Sequence, residues 1–507
     1  MRVTGSFSAI LAGTTATMAL IGSQALAAEP NLDELRRLIE LQQQQIEMQR
    51  QQMEQQNRAL EVMQSQLKEL QQARQEPPAG LQVPPGNQPL PAPQPGAVAD
   101  ITDADGLVVQ PSQFRIGDMA KGGPPEEYFA PAQAVTAGDF PGSIKLPGTD
   151  TSFKIGGYAK LDVIHDFDDI GSEDLFVTSA INVDGDRNGR TRLHARQSRL
   201  NVDVRTPTEI GDARIFLEGD FFGSGGNQLV SNSTSFRLRH AFGQVSNLFD
   251  SSGNVLAGQT WGTFMDVSAL PETIDFEGPN AESFIRQGQV RWTQLFGDGI
   301  SVALAIENPE GDILNDGGLN LDQIPDVVAR GRWDQDWGHL QAGFVGRQIR
   351  FDDGDDDESE FGYGINASGK IGLPFLHEKD NLRFQAQYGD GIGRYIVDLA
   401  GGGFDAQRDP TTGDLETVTA FGAYGAVQHW WTDNLRSNAV YGYVKADNAD
   451  FVPGDTFESS QYVAVNLIWS PIPRIDAGIE YLWGQRENDN GRSGTANRIQ
   501  LGFLFRF

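Results

Sequence analysis

With 507 residues, of which 39% are hydrophobic, the chain is long enough for one large fold but more polar than a bundle of membrane-spanning helices. Its 69 acidic and 39 basic residues give a formal net charge of −30, which argues against nucleic acid as a partner unless the basic residues share one surface. Cysteine is absent, which excludes disulfides, thiolate zinc sites and cysteine nucleophiles.

Residues 1–27 have the pattern of a secretory signal peptide. Arg2 precedes an uncharged run of small and apolar residues, and Ala25, Leu26 and Ala27 provide a cleavage site after Ala27. The apolar run is too short and too rich in Gly, Ser and Thr to be a good membrane-spanning helix. We therefore expect the mature chain in the envelope of a Gram-negative bacterium.

Residues 31–75 contain neither Gly nor Pro and carry an apolar residue at every seventh position. The repeat consists of Leu32, Ile39, Ile46, Met53, Leu60 and Leu67. Gln occupies the companion seam position in the middle of the stretch. This pattern predicts an α-helical coiled coil with polar core layers, and therefore oligomerisation, whereas a Gln-rich low-complexity tract is the alternative. We place the coiled coil in the periplasm.

Residues 76–150 are predicted to be a linker. The first part, 76–96, is rich in Pro and should form an extended, semi-rigid spacer. Residues 97–150 remain irregular in pattern, and we interpret them as further linker that could include a plug or a lead-in to the next domain.

From residue 151 to 507 the chain alternates apolar and polar residues with the period of a β-strand. At its end, Ile499, Leu501, Phe503, Phe505 and Phe507 alternate with mostly polar or small residues. One face for lipid and one for a water-filled lumen is typical of outer-membrane barrels. Counting by alternation predicts sixteen strands, near 153–163, 198–205, 213–221, 236–242, 254–261, 286–293, 300–307, 326–333, 338–347, 361–369, 381–388, 416–428, 435–444, 461–469, 474–483 and 497–507. The predicted fold is thus all-β, a 16-stranded antiparallel transmembrane β-barrel preceded by an N-terminal α-helical coiled coil.

The predicted connections alternate between short and long, as expected for periplasmic turns and extracellular loops. The long ones are 168–190, 222–235, 262–285, 308–325, 348–360, 389–415, 445–460 and 484–496. Tryptophans then fall at strand ends, where an interfacial girdle needs them. At the periplasmic ends these are Trp292, Trp333, Trp337, Trp430, Trp431 and Trp469, and at the outer ends Trp261 and Trp483. A soluble β-sandwich, the alternative, explains neither pattern.

Twelve arginines lie on the faces opposite the apolar ones. They are Arg199, Arg205, Arg214, Arg237, Arg239, Arg291, Arg330, Arg332, Arg347, Arg383, Arg436 and Arg498. An arginine facing lipid at mid-bilayer costs about 2–4 kcal/mol. The odd or even position of a residue along its strand, which we call its parity, therefore predicts that these side chains are lumenal. Guanidiniums bind carboxylates through two hydrogen bonds, which predicts a path for anions. Alternatively, the arginines pair with lumenal carboxylates such as Asp203, Glu218 and Asp220 and brace the wall. Parity is ambiguous near 254–261 and 416–428, and no lumenal residue is assigned there.

The third long loop carries four carboxylates, Asp266, Glu272, Asp275 and Glu277. In large porins this loop commonly folds inward and narrows the lumen. Its carboxylates could face the arginine wall and create a transverse field, or arginines could bind them and anchor the loop. We expect anchoring for at least one of Asp275 and Glu277. The remaining possibility is that Pro, Asp and Gly only form turns here.

Three stretches resemble the DcaP-like outer-membrane porins. They are GGYAKLD at 156–162, RQSRLNVDVR at 196–205, and GQTW at 258–261 running into PETIDFEGPN at 271–280. The resemblance covers the mature chain, and the third-loop run is its most specific part. It implies a homotrimeric barrel porin with an N-terminal periplasmic coiled coil that takes up dicarboxylic acids.

Other classes of function find less support. The six histidines are scattered, without the spacing of a metal site or a Ser/His pair, so we predict no enzyme, no metal site and no cofactor. The expected partners are outer-membrane lipid, lipopolysaccharide, small anionic solutes and further copies of the chain. A phosphate or general anion porin is the alternative within the class. A structural tether, whose barrel is mainly an anchor, is the alternative outside it.

Overall fold

The computed structural model describes residues 136–185, 189–223, 232–314, 319–352, 357–375 and 377–507. The predicted signal peptide, the coiled coil and the linker up to residue 135 lie outside these residues. Within the described ranges, no helix has the length and apolar character that crossing a membrane requires.

Sixteen strands pair antiparallel in chain order and form a closed barrel, as the sequence predicts. The last strand closes it by pairing with the first, with Gly502 opposite Asp162. The strands are β1 Ser152–Asp166, β2 in two segments Arg190–His194 and Arg199–Thr208, β3 Gly211–Gly223, β4 Ser235–Ser246, β5 Gly253–Trp261, β6 Arg286–Phe296, β7 Ile300–Glu307, β8 Asp326–Gln335, β9 Gly338–Asp352, β10 Asp357–Gly372, β11 Asn381–Asp390, β12 Thr419–Thr432, β13 Leu435–Asp447, β14 Phe457–Ile472, β15 Ile475–Asn488 and β16 Ser493–Arg506.

The wall is apolar outside and polar inside. In β16, Phe503 and Phe505 are exposed on the outer face, whereas Arg498 and Gln500 are buried. Apolar side chains lose their unfavourable contact with water when hydrocarbon covers them, so this inverted pattern fits a barrel embedded in lipid.

Two predicted long loops prove to be strand hairpins. β9 runs to Asp352 and β10 begins at Asp357, while β15 runs to Asn488 and β16 begins at Ser493. The segments 348–360 and 484–496 are therefore mostly strand. The polar, Gly- and Asp-rich composition of these two segments predicted loops. Cross-strand hydrogen bonds nevertheless extend the strands beyond the apolar band of the wall.

The tryptophan girdle is also smaller than predicted, because Trp261 and Trp430 turn inward. Trp261 is the last residue of β5, where the chain bends into the barrel, and its ring centroid lies 5.0 Å from that of His240. Trp430 shares its strand face with the buried Ala426 and Gln428 of β12, and its side chain is buried as well.

Several short elements lie outside the sixteen strands. Strands Thr136–Ala137 and Ile144–Lys145 form a hairpin that extends the sheet beside β1. Strands Ile313–Leu314, Ala406–Arg408 and Leu415–Thr417 make a small separate sheet, and Leu319–Asn320 pairs with β9. The 3-10 helices are Thr178–Ala180, Leu248–Asp250, Val267–Ala269 and Gly393–Tyr395.

Long loops fill part of the barrel interior. We name residues 167–189 loop 1, residues 262–285 loop 3 and residues 391–418 loop 6. Phe264 of loop 3 and Tyr395 of loop 6 are fully buried, with ring centroids 5.6 Å apart. Loop 3 also pairs with loop 6 through a bridge between Ser283 and Ile396. These contacts place an apolar core inside the barrel, next to the wall residues that the two loops cover.

Candidate functional site: an arginine cluster facing loop 3

Loop 3 is anchored first by Asp266, which is fully buried. Its carboxylate binds Arg332 of β8 at 3.3 Å, His339 of β9 at 2.8 Å and Ser368 of β10 at 2.8 Å. Burial by itself raises the pKa of Asp266, but the hydrogen bond and charge of His339, together with Arg332 and Ser368, hold it below its usual range. Asp266 is therefore an ionised anchor.

A second anchor holds the middle of the loop. Glu272 accepts two hydrogen bonds from the fully buried Arg436 of β13, at 2.7 and 2.6 Å, and one from Gln428 of β12 at 2.8 Å. The backbone oxygen of Leu270 accepts a hydrogen bond from Arg383 of β11. Both arginines thus bind the loop, although Arg436 also donates a hydrogen bond to Ser470 and Arg383 donates one to Asn381.

The third anchor is a carboxylate of the wall. Glu480 of β15 accepts hydrogen bonds from the backbone N–H groups of Ile274 and Asp275, at 2.9 and 2.7 Å. Lys160 of β1 donates to the Ile274 oxygen at 2.7 Å, and Arg498 of β16 lies 3.6 Å from the Asp275 carboxylate. These anchors of loop 3 therefore lie along the arc of wall from β8 to β16 and on to β1, and the strands from β2 to β7 make up the opposite arc.

Arginines project from this opposite arc and are held by two buried carboxylates. Asp220 of β3 binds Arg237 at 2.9 and 3.0 Å and Arg239 at 3.0 Å. Glu218 binds Arg239 at 2.9 Å and lies 3.6 Å from Arg199. The three guanidiniums are thereby fixed side by side, and that of Arg237 remains partly exposed to the interior.

An aromatic ring at the tip of loop 3 contacts these arginines. The centroid of Phe276 lies 5.5 to 5.9 Å from the guanidinium carbons of Arg199, Arg237 and Arg239. The ring also stacks on Phe222 of β3 with centroids 4.6 Å apart. Cations over an aromatic face are attracted by its negative quadrupole, so Phe276 couples the loop tip to the arginine wall.

A fourth arginine belongs to the same group. Arg286, the first residue of β6, packs over Trp261 and Phe284 at 5.1 and 5.3 Å from their ring centroids. It lies within electrostatic reach of Arg237 and Arg239. We call Arg199, Arg237, Arg239 and Arg286 the arginine cluster. The cluster carries four positive charges, and the carboxylates of Glu218 and Asp220 neutralise two of them, so its net charge is +2.

Glu277 follows Phe276 in loop 3 and lies within electrostatic reach of Arg237 and Arg286. Burial, with the neighbouring charges of Asp275 and Asp398, raises the pKa of Glu277 to about 8, although Arg237 and Arg286 oppose the rise. Near neutral pH the side chain is therefore mostly protonated and leaves the charge of the cluster largely intact.

The other predicted arginines have different surroundings. Arg347 of β9 binds Asp405 of loop 6 at 2.7 Å, and Arg498 binds Asp166 at 2.6 Å. Arg205 and Arg214 share Asp203 nearer the short turns. The remaining two predicted arginines, Arg291 and Arg330, are buried side chains of the wall. The structure thus brings together three of the twelve predicted arginines, and it uses five others, Arg332, Arg347, Arg383, Arg436 and Arg498, to hold loops 1, 3 and 6.

Arg286 was missed because alternation assigns it to the outer face. It shares parity with Val290 and Trp292, whose side chains are exposed to the outside. The chain re-enters the wall from loop 3 at this residue, so parity does not yet hold. Its position directly after loop 3 in the sequence was the one feature that could have indicated an inward side chain. No group of three or more His, Asp or Glu in the described ranges could hold a metal ion.

Comparison with known proteins places the chain in a family. A family model described as DcaP outer membrane protein matches residues 139–507. Porin Omp2b of Brucella abortus (strain 2308) and of Brucella suis biovar 1 is 28% identical over 231 residues, which is 43% of this chain and 56% of the relative. The chain thus spans about half the length of the curated relatives it matches.

Two solved structures are similar to the chain. The outer membrane channel DcaP of Acinetobacter baumannii matches with a TM-score of 0.63 at 23% identity, over 73% of this chain and all of the other. An anion-selective porin from Comamonas acidovorans gives a TM-score of 0.49 at 11% identity, over 70% of this chain and all of the other. The first likeness shows the same fold. With the family model spanning most of its length, the chain belongs to the DcaP family of outer membrane proteins.

Proposed function

We propose that this outer membrane protein is a porin through which small anions diffuse passively, and that dicarboxylates are its solutes. The observation that carries the proposal is the arginine cluster, which faces the tip of loop 3 with two uncompensated positive charges. A passive channel needs no catalytic residue, cofactor or metal.

The arrangement suits a dianion that must enter and leave again. Asp220 and Glu218 hold Arg237, Arg239 and Arg199 in place, so little side-chain entropy is lost when a carboxylate binds. Asp220 and Glu218 also occupy some of the guanidinium N–H donors, which keeps the affinity for the solute moderate. Conduction requires binding that favours entry but permits release.

Phosphate presents a similar oxyanion to the same guanidiniums, so a phosphate or general anion porin is the alternative within this class. A barrel that serves mainly as an anchor for the coiled coil is the alternative outside it. A dicarboxylate porin should admit succinate faster than phosphate or a neutral sugar of similar size.

Proteoliposome swelling tests the solute class directly. We expect liposomes containing the protein to swell faster in succinate than in phosphate or arabinose. Equal rates for succinate and phosphate would favour the general anion porin, and no swelling in any solute would favour the anchor.

We further propose that the protein is a homotrimer in contact with outer-membrane lipid and lipopolysaccharide, with residues 31–75 forming a periplasmic coiled coil. The heptad repeat and the DcaP resemblance support this assembly. The mass of the detergent-solubilised protein, measured with and without residues 31–75, tests it. A monomer in mild detergent would contradict it.

A further inference from the structure

Arg286 differs from the rest of the arginine cluster in what surrounds it. Trp261 and Phe284 pack against one side of it, with ring centroids 5.1 and 5.3 Å from the guanidinium carbon and 5.3 Å from each other. These aromatic contacts restrain the guanidinium and use none of its N–H groups as hydrogen-bond donors to an oxygen.

The other three members already have carboxylate partners. Arg237 makes two hydrogen bonds to Asp220, Arg239 bonds both Asp220 and Glu218, and Arg199 lies 3.6 Å from Glu218. In contrast, no hydrogen bond or ion pair joins the guanidinium of Arg286 to any residue in the described ranges, and its buried Nη1 has no acceptor there.

The nearby carboxyl groups do not neutralise Arg286 by contact. Glu277 and Glu282 of loop 3 are within electrostatic reach, but neither forms an ion pair with Arg286 in the described structure. An oriented, aromatic-backed guanidinium with unused donors, placed beside three further arginines, is complementary to a planar carboxylate that brings two acceptor oxygens.

We propose that Arg286 is the principal contact of the permeating anion, binding one carboxylate of the solute through its unpaired guanidinium N–H groups while the second carboxylate faces Arg237 and Arg239. The inference rests on the proposed function and assigns its main solute contact to a residue that alternation places on the outer face. Arg286 thereby determines affinity for the solute, whereas the paired arginines mainly supply the surrounding positive potential.

Block of ion current by succinate in planar bilayers tests this assignment. We expect Arg286→Gln to raise the half-blocking concentration about tenfold, equivalent to ~1.4 kcal/mol, and to reduce anion selectivity. Arg286→Lys keeps the charge but not the two-point geometry, so it should retain the selectivity and still weaken the block. Arg492→Gln, which removes one exposed charge from the loop between β15 and β16, is the matched control and should behave as the unmodified protein.

The outcomes separate this inference from the proposed function. Block of the unmodified protein, with unchanged block of Arg286→Gln, would overturn the role of Arg286 and leave the anion porin standing. Absence of block and of anion selectivity in the unmodified protein would overturn both. The heat-modified gel mobility typical of a folded barrel checks each variant, and Arg286→Lys provides the test if Arg286→Gln fails to fold.

Discussion

The anchor of loop 3 on Arg436 allows a quantitative prediction for Glu272→Gln. The ion pair is buried, with exposed side-chain fractions of 3% for Glu272 and 0% for Arg436. Removing one partner of such a pair costs about 3–5 kcal/mol because the remaining charge is left uncompensated. Asp476 lies 3.8 Å from Arg436 and offsets part of the loss, so we expect ~3 kcal/mol.

This cost should appear as movement of the loop, because Asp266 and Glu480 still hold the segments on either side of Glu272. A change of ~3 kcal/mol shifts the equilibrium between the docked and released middle segment about a hundredfold. Single-channel recordings should therefore show a larger mean conductance and more frequent current steps than the unmodified protein. The thermal unfolding midpoint should fall as well.

The matched control is the double variant Glu272→Gln, Arg436→Met, which removes both charges. Replacing a buried ion pair by uncharged residues of similar volume is often close to neutral, so the double variant should recover much of the lost stability. Glu272→Gln with unchanged conductance, current noise and thermal midpoint would refute the reasoning.

Three further predictions concern the arginine cluster. Glu277 has a pKa of about 8, so raising the pH from about 6 to about 10 adds a negative charge and should lower anion selectivity in reversal-potential measurements; Glu277→Gln should abolish this pH dependence. Asp220→Asn should raise anion selectivity and strengthen succinate block, because Arg237 and Arg239 lose their shared carboxylate. Phe276→Ala removes the ring that contacts the arginines and should increase conductance while weakening succinate block, both measured in planar bilayers.

Each of these has a contrary outcome. A pH dependence that persists in Glu277→Gln would show that another group titrates. Lower anion selectivity in Asp220→Asn would mean that the carboxylate positions the arginines more than it neutralises them. Unchanged conductance in Phe276→Ala would place the narrowest point elsewhere.

Much of the barrel can be predicted from the sequence because each strand obeys one strong rule. A polar residue on the lipid side is costly, so alternation is kept along strands such as β16, where Phe503 and Phe505 face outward and Arg498 faces inward. Beyond the apolar band the outer face no longer contacts lipid, so this constraint on alternation does not apply there. The sequence of segments 348–360 and 484–496 then predicts loops, although backbone pairing extends to Asp352 with Asp357 and to Glu487 with Ser493.

The arrangement inside the barrel is less predictable. Parity indicates that Arg436 and Arg239 both face inward, but it does not distinguish an arginine that anchors a loop from one that faces the solute. That distinction depends on contacts between residues far apart in sequence, such as Arg436 with Glu272. Arg286 shows the opposite failure, because it lies where the chain re-enters the wall and parity points the wrong way.

The most direct test of the central claim is the reversal potential of the purified mature protein in a planar bilayer under a potassium chloride gradient. We expect anion selectivity, with block by added succinate that depends on its concentration. Cation selectivity would mean that the carboxylates of loop 3 control the lumen. Absence of conductance would mean that the barrel is an anchor, and either result would contradict the proposed anion path.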